Sequence, residues 1–225
     1  MVAGACLATA YALPALAKPL PVVRALLGIE AHTASGEGVA LTFDDGPHLE
    51  GTVAVLETLR ERGARGTFFL VGEQVARAPT LAAEVAAAGH GIALHCDRHR
   101  NLLRLTPRQV SDDLDRATDR IVSATGVVPE LHRAPYGVYS AAGLWAVRRR
   151  GLRPLLWTHW ARDWSKRATA RSITDEITSG LLPGSVLLLH DGDAYASEGS
   201  WRNTAAALPE VLDRIAAAGL VHVAP

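Results

Sequence analysis

Apolar and polar positions along the chain alternate between two kinds of pattern. Val39-Ala40-Leu41, Thr67-Phe68-Phe69-Leu70-Val71, Ile92-Ala93-Leu94, Pro154-Leu155-Leu156-Trp157, Ser185-Val186-Leu187-Leu188-Leu189 and Leu220-Val221-His222-Val223 are short and mostly apolar, and Leu131-His132-Arg133 reads as a further short strand leading to Ala134-Pro135-Tyr136-Gly137. Apolar runs of this length predict strands buried on both faces. Between them, apolar residues recur at spacings of three and four. Leu49, Val53, Leu56 and Leu59 predict a helix over 49–63, and Leu81 with Val85 one over 79–88. Val110, Leu114, Ala117 and Ile121 predict a long helix from 106 to about 124, with Thr106 as N-cap and Pro107 at its first position. Further helices are predicted from Ser140 to Gly151, over 170–180 and over 204–219, while Gly63, Gly89 and Gly126 read as stops and Gly72 as the close of a strand.

Strand and helix thus alternate about seven times. This order predicts an α/β fold with parallel strands, a distorted (β/α) barrel that is closed or nearly closed. In such barrels the chemistry gathers at the C-terminal ends of the strands. The polar stretches at 44–45, 95–99, 133–137, 163–164 and 190–191 each come at or soon after such an end.

Length and composition narrow the classes. A chain of 225 residues suits one domain with a full core. Its 23 basic and 23 acidic residues cancel and form no basic block, which argues against a nucleic-acid partner. Cys6 and Cys96 are too few and too far apart for a disulfide framework or a C-x-x-C zinc site. The first 17 residues carry no charge, and Ala15-Leu16-Ala17 resembles an export cleavage site. The run is short for a membrane span, which needs about 20 apolar residues. The expectation is an export signal or loose membrane anchor and a Pro/Gly-bearing linker over 1–37, then a catalytic domain over 38–225, acting outside the cytoplasm as a monomer.

The chemistry starts at Thr42-Phe43-Asp44-Asp45-Gly46-Pro47. Two adjacent carboxylates at a strand end repel unless a cation lies beside them. His95 and His99, in His95-Cys96-Asp97-Arg98-His99, are four residues apart and can face one metal if the chain is helical or tightly turned there. Asp45, His95 and His99 make a two-histidine, one-carboxylate set, which suits catalytic zinc and equally non-haem iron. Asp44 is then free to act as a base, and His190 is the candidate acid.

The ordered set TFDDG (42–46), HCDRH (95–99), RAPYG (133–137), RDW (162–164) and LLLHD (187–191) resembles the polysaccharide deacetylase family, with its NodB homology domain, carbohydrate esterase family 4. The match covers roughly residues 39 to 223. The resemblance implies a barrel of fewer than eight repeats that removes acetyl groups from chitin, peptidoglycan or xylan. It implies Asp44 as general base paired with Arg133, and Asp45, His95 and His99 as ligands of a divalent metal, zinc first, with cobalt or manganese as alternatives. It implies a Tyr136 backbone N–H for the oxyanion, Asp163 orienting the acid His190, and Trp164 and Leu189 walling the acetyl pocket. The substrate implied is an N-acetylated glycan; an O-acetyl xylan esterase, a small-amide hydrolase and an idle carbohydrate-binding protein are the other readings. An iron oxygenase would have no use for the Asp44–Arg133 and Asp163–His190 pairs. Two positions depart from the family pattern: Cys96, where Ser or Thr is common, and Trp160, where an Asp is common. A Cys96 thiol near the metal is weighed against packing, and a Trp160 stacked on sugar against burial. The lone histidines 32, 48, 90, 132, 159 and 222 carry no such pattern, and the loop 192–200 with Trp201 reads as a surface loop before a capped helix, with a place in the cleft wall as the alternative.

Overall fold

The computed structural model describes residues 9–225; Cys6 and the first part of the expected export or anchor segment lie outside them. A short helix α1 (Pro21–Leu26) precedes the first strand. Then follow β1 (Val39–Asp44), α2 (Gly51–Glu61), β2 (Thr67–Val71), α3 (Gly72–Arg77), α4 (Pro79–Ala87), β3 (Gly91–Cys96), α5 (Pro107–Thr125), β4 (Leu131–His132), α6 (Ala141–Arg149), β5 (Arg153–Pro154), β6 (His159–Trp160), α7 (Ala170–Ile177), β7 (Ser185–His190) and α8 (Trp201–Ala217). The seven strands form one sheet in the order β5-β4-β3-β2-β1-β7-β6, and every pairing is parallel. The sheet curls into a distorted barrel that stays open between its edge strands β5 and β6. Residues 30–33 run past both sides of this opening. The Leu156 N–H donates to the Glu30 carbonyl at 2.7 Å, and the Thr33 N–H donates to the Gly184 carbonyl at 3.0 Å.

The core has two parts. Val39, Leu41, Phe43, Phe68, Leu70, Leu187 and Leu189 pack outward against the helices, with Val55, Leu59, Ile121, Val211 and Ile215 among their neighbours. Ala40, Phe69, Ala93, Leu155 and Val186 fill the inside of the barrel. Alternate residues of each strand thus serve opposite faces, and both faces are dry. The segment before β1 shares the outer core through Ala17, Ile29 and Ala31.

Local chemistry sets the helix ends. Thr106 caps α5 in a full capping box with Gln109, Ser140 caps α6, and Gly126 ends α5 in the left-handed conformation. Three boundaries differ from expectation. Gly72 opens α3 instead of only closing β2. A Cβ there would come within 2.7 Å of Asp97 Oδ1, so only glycine lets this helix start against the β3 loop. The strand expected over 154–157 breaks after Pro154. The Leu155 and Leu156 carbonyls turn to the buried Arg133 guanidinium, and the chain resumes on the far edge as β6. The last strand, expected over 220–223, shrinks to a bridge between His222 and Val39. Strand β7 pairs with β1 along its whole length and β2 takes the other side from Thr42 on, so a third partner finds only the short stretch of β1 before Thr42.

Candidate active site

The C-terminal ends of β1, β3 and β7 meet at one cavity of about 210 Å³. It is lined by Asp44, Asp45, His95, His99, His190 and Trp164, with Lys18, Tyr136, Gly137, Trp157, Leu188 and Tyr195 completing the wall. Asp44 is the last residue of β1 and the cross-strand partner of His190 on β7. Asp45 follows with φ 79°, Tyr136 has φ 61° and Arg162 φ 47°. These are the non-glycine residues in the left-handed region among those described, and all lie at or beside the cavity. Such strain persists where surrounding structure holds it, as it commonly does at functional sites.

Asp45 Oδ1 lies 3.5 Å from His95 Nε2 and 3.5 Å from His99 Nε2. His95 Nδ1 donates to the Arg133 carbonyl at 2.7 Å; a carbonyl only accepts, so the proton is on Nδ1 and the Nε2 lone pair faces Asp45. Asp45 Oδ1 is buried with no hydrogen-bond donor. Burial pushes Asp45 up to about 7 and both histidines down to about 3. A carboxylate that lacks a donor, facing two neutral imidazoles, fits a divalent cation. The three ligand atoms lie within 4.8 Å of one another.

His99 reaches the cluster from a loop, not from a helix. Its loop is pinned by α5: the Asp97 N–H donates to Asp113 Oδ2 at 2.7 Å, while Arg120 Nη1 and Arg116 Nε hold the Asp97 carboxylate at 2.6 and 3.1 Å. Tyr195 stacks on the His99 ring at 4.6 Å and is held in turn by Glu73 and Gln74 of α3. Cys96 ends β3 as a buried free thiol outside the three-residue cluster.

Two ion pairs flank the cluster. Arg133, fully buried, places Nη1 2.7 Å from Asp44 Oδ1 and 2.8 Å from Thr42 Oγ1. Its Nε and Nη2 donate to the Leu155 and Leu156 carbonyls, and its face lies 4.0 Å from the Phe69 ring centre. On the other side His190 Nδ1 donates to Asp163 Oδ1 at 2.8 Å, and the His190 N–H donates to Oδ2 at 2.7 Å. The Thr204 hydroxyl donates to the same Oδ2 at 3.0 Å. Burial alone would lower the His190 pKa, but Asp163, by charge and hydrogen bond, with Asp45 and Asp44 behind it, raises it to about 10. The imidazolium is therefore the resting form at neutral pH. One flank offers an acceptor and the other a donor, as an amide hydrolysis requires.

Every residue given a catalytic, metal-ligand or pocket role from the sequence lies at this site except Leu189. Leu189 points into the outer core, and Leu188 lines the cavity instead. The correction follows from the pleat: Leu188 and His190 share one face of β7, Leu189 the other. Lys18, Trp157 and Tyr195 were not singled out. Tyr195 lies in the loop 192–200, for which a place in the cleft wall is the alternative to plain surface, and no local pattern marks the residue itself. Trp160 is 37% exposed at the rim and stacks on Trp164 with ring centres 5.4 Å apart. Among the lone histidines, His132 is buried and its Nδ1 lies 3.0 Å from the Tyr139 hydroxyl, a core pair.

Comparison with known proteins bears on this geometry. The chain is 37% identical over 175 residues to a chitooligosaccharide deacetylase of Bradyrhizobium sp. (strain ANU 289), covering 77% of this chain and 78% of that one. It is 32% identical over 162 residues to a peptidoglycan-N-acetylglucosamine deacetylase of Bacillus cereus, covering 72% and 58%. Among solved structures, a family 4 carbohydrate esterase from Streptomyces lividans in complex with acetate superposes with a TM-score of 0.75 at 32% identity, covering 84% of this chain and 92% of that one. Residues 31–155 match the polysaccharide deacetylase family profile. With its ordered motifs, its barrel and a relative so close over most of its length, the chain belongs to the polysaccharide deacetylase family.

Proposed function

We propose that the protein removes N-acetyl groups from an N-acetylglucosamine-containing glycan, with a divalent metal, zinc by preference, held by Asp45, His95 and His99. One observation carries the reading: a buried two-histidine, one-carboxylate cluster lies between the Asp44–Arg133 and His190–Asp163 pairs in one cavity. The cation, when bound, acts as a Lewis acid toward the acetyl carbonyl and the attacking water. Asp44 takes the water's proton. Arg133 holds its carboxylate in place and keeps it turned to the cavity. The Tyr136 backbone N–H shares the charge that develops on the carbonyl oxygen; one such donor is typically worth about 3 kcal/mol. His190 protonates the departing amine from Nε2, since Asp163 holds Nδ1. Leu188 and Trp164 enclose the methyl group. The same reading makes the protein a monomer working outside the cytoplasm, secreted or loosely attached to a membrane; no helix among the described residues is long and apolar enough to cross one.

The test is amine release from N-acetylglucosamine oligomers by the full chain, after chelation and then with added zinc, cobalt or manganese. Metal-restored release that disappears in Asp44→Ala is expected. His190→Ala should depress amide cleavage far more than cleavage of an activated acetyl ester, because an ester leaving group needs no proton. Restored hydrolysis of acetylated xylan, with no release from the amide, would overturn the N-deacetylase reading in favour of an esterase.

A further inference from the structure

Lys18 lies before the family-matched residues 31–155, yet its ammonium lines the active-site cavity. The segment that carries it is packed in place. Ala17 is fully buried, the Tyr11 hydroxyl donates to the Leu105 carbonyl at 2.6 Å, and Arg148 holds the Leu27 carbonyl. Lys18 Nζ donates one bond, to the Tyr136 carbonyl at 3.0 Å. It also lies over two indole rings, 5.5 Å from the centre of Trp157 and 5.4 Å from that of Trp160. Arg162 approaches Trp160 as well, 5.7 Å from the ring centre. An ammonium has three donors, so two remain for a ligand. Among the described residues no carboxylate pairs with Lys18: Asp44 is taken by Arg133, and Asp163 by His190. Burial, with no acid to offset it, lowers the Lys18 pKa. An exposed cation without a carboxylate partner, held on an aromatic wall beside the acetyl pocket with two donors open, is a site for an anionic group.

We propose that Lys18, with Trp157 and Trp160, forms a subsite that recognises a carboxylate carried by the glycan next to the N-acetylated sugar. The inference rests on the cavity being a glycan deacetylase site. It deepens that reading by making Lys18 a specificity residue that favours an acidic glycan over a neutral one. The two indoles hold the ammonium in place, and its free donors meet the carboxylate.

The experiment measures binding to the full chain by tryptophan fluorescence and calorimetry, so that turnover is not needed. The probes are a neutral N-acetylglucosamine tetramer and a peptide-free peptidoglycan tetramer, whose carboxylates sit on the sugars. Wild type is expected to bind the acidic tetramer roughly tenfold tighter at low salt, the worth of one partly exposed charge-assisted hydrogen bond. The preference should shrink as salt rises. Lys18→Met should bring the two affinities within about twofold of each other, and Lys18→Arg should keep most of the preference. Equal binding of both tetramers by wild type would overturn the subsite. Equal weakening of both by Lys18→Met would also overturn it, reducing Lys18 to a clamp on the Tyr136 loop. If the variants do not fold, the wild-type preference and its salt dependence decide. A preference without amine release counts against the deacetylase reading alone; release without a preference counts against the subsite alone; no binding of either tetramer overturns both.

Discussion

Asp163→Asn tests the acid flank most directly. In the folded protein the His190 pKa is raised to about 10, so at pH 8 about 99% of it is protonated by the ordinary titration relation. The carboxamide keeps the size of Asp163 and an acceptor for His190 Nδ1, but removes the charge. Burial then has the upper hand and draws the His190 pKa to its ordinary value of about 6.5 or below. With the pKa at 6.5, roughly 3% of His190 is protonated at pH 8 and roughly three-quarters at pH 6. Amide cleavage should therefore fall about 30-fold at pH 8 from protonation alone, and by less than about twofold at pH 6. The remaining charges of Asp45 and Asp44 also raise His190, and a cation among the ligands offsets them. The assay is kcat/KM on an N-acetylglucosamine oligomer from pH 5 to 10.5, beside an activated acetyl ester. The alkaline limb should move from near pH 10 in wild type to near or below pH 7 in the variant, and the ester should be little affected. An alkaline limb at the same pH in both proteins, or one uniform loss at every pH, would refute the argument that the Asp163 charge keeps the acid protonated.

Arg133→Met should lower unfolding stability by about 3–5 kcal/mol in denaturant titrations, because it leaves a buried Asp44 without its counter-ion and strands two buried carbonyls. Leu188→Ala and Leu189→Ala should separate pocket from core: both lose about 2–5 kcal/mol on unfolding, but only Leu188→Ala should gain relative activity on a propionyl over an acetyl substrate. Asp191 is fully buried, receives the Thr52 hydroxyl on Oδ2, has no donor on Oδ1, and burial raises its pKa to about 7. The folded state thus binds this proton more tightly than the unfolded chain, so the associated stability is present at low pH and lost as pH rises from about 4 through 7. Asp191→Asn in chelated protein should be closer to wild type in Tm at pH 4.5 and more stable than wild type at pH 8; a Tm difference that is the same at both pH values would contradict this.

The sequence by itself determined the frame: continuous apolar runs alternating with helical spacings, and chemistry placed where the runs stop. Asp44 and His190 were legible because each ends a strand, and His95 because it stands one residue before such an end; the fold puts these ends on one rim. Helix ends were legible because Thr106 and Ser140 satisfy neighbouring N–H groups locally, without help from the rest of the molecule. Facing direction within β7 was not. A strand buried on both faces has no polar alternation, so Leu188 and Leu189 look alike until the barrel is built. The break after Pro154 was not legible either, because the Leu155 and Leu156 carbonyls are diverted to a guanidinium more than 20 residues earlier in the chain. Tyr195 and Lys18 carry no local signal at all. Tyr195 gains its place from α3 and His99, and Lys18 from the Tyr136 carbonyl, 118 residues away. Periodicity and capping are written between near neighbours in sequence. Which distant side chains share one dry cavity, and so which charges feel each other, is decided only when the sheet closes around them.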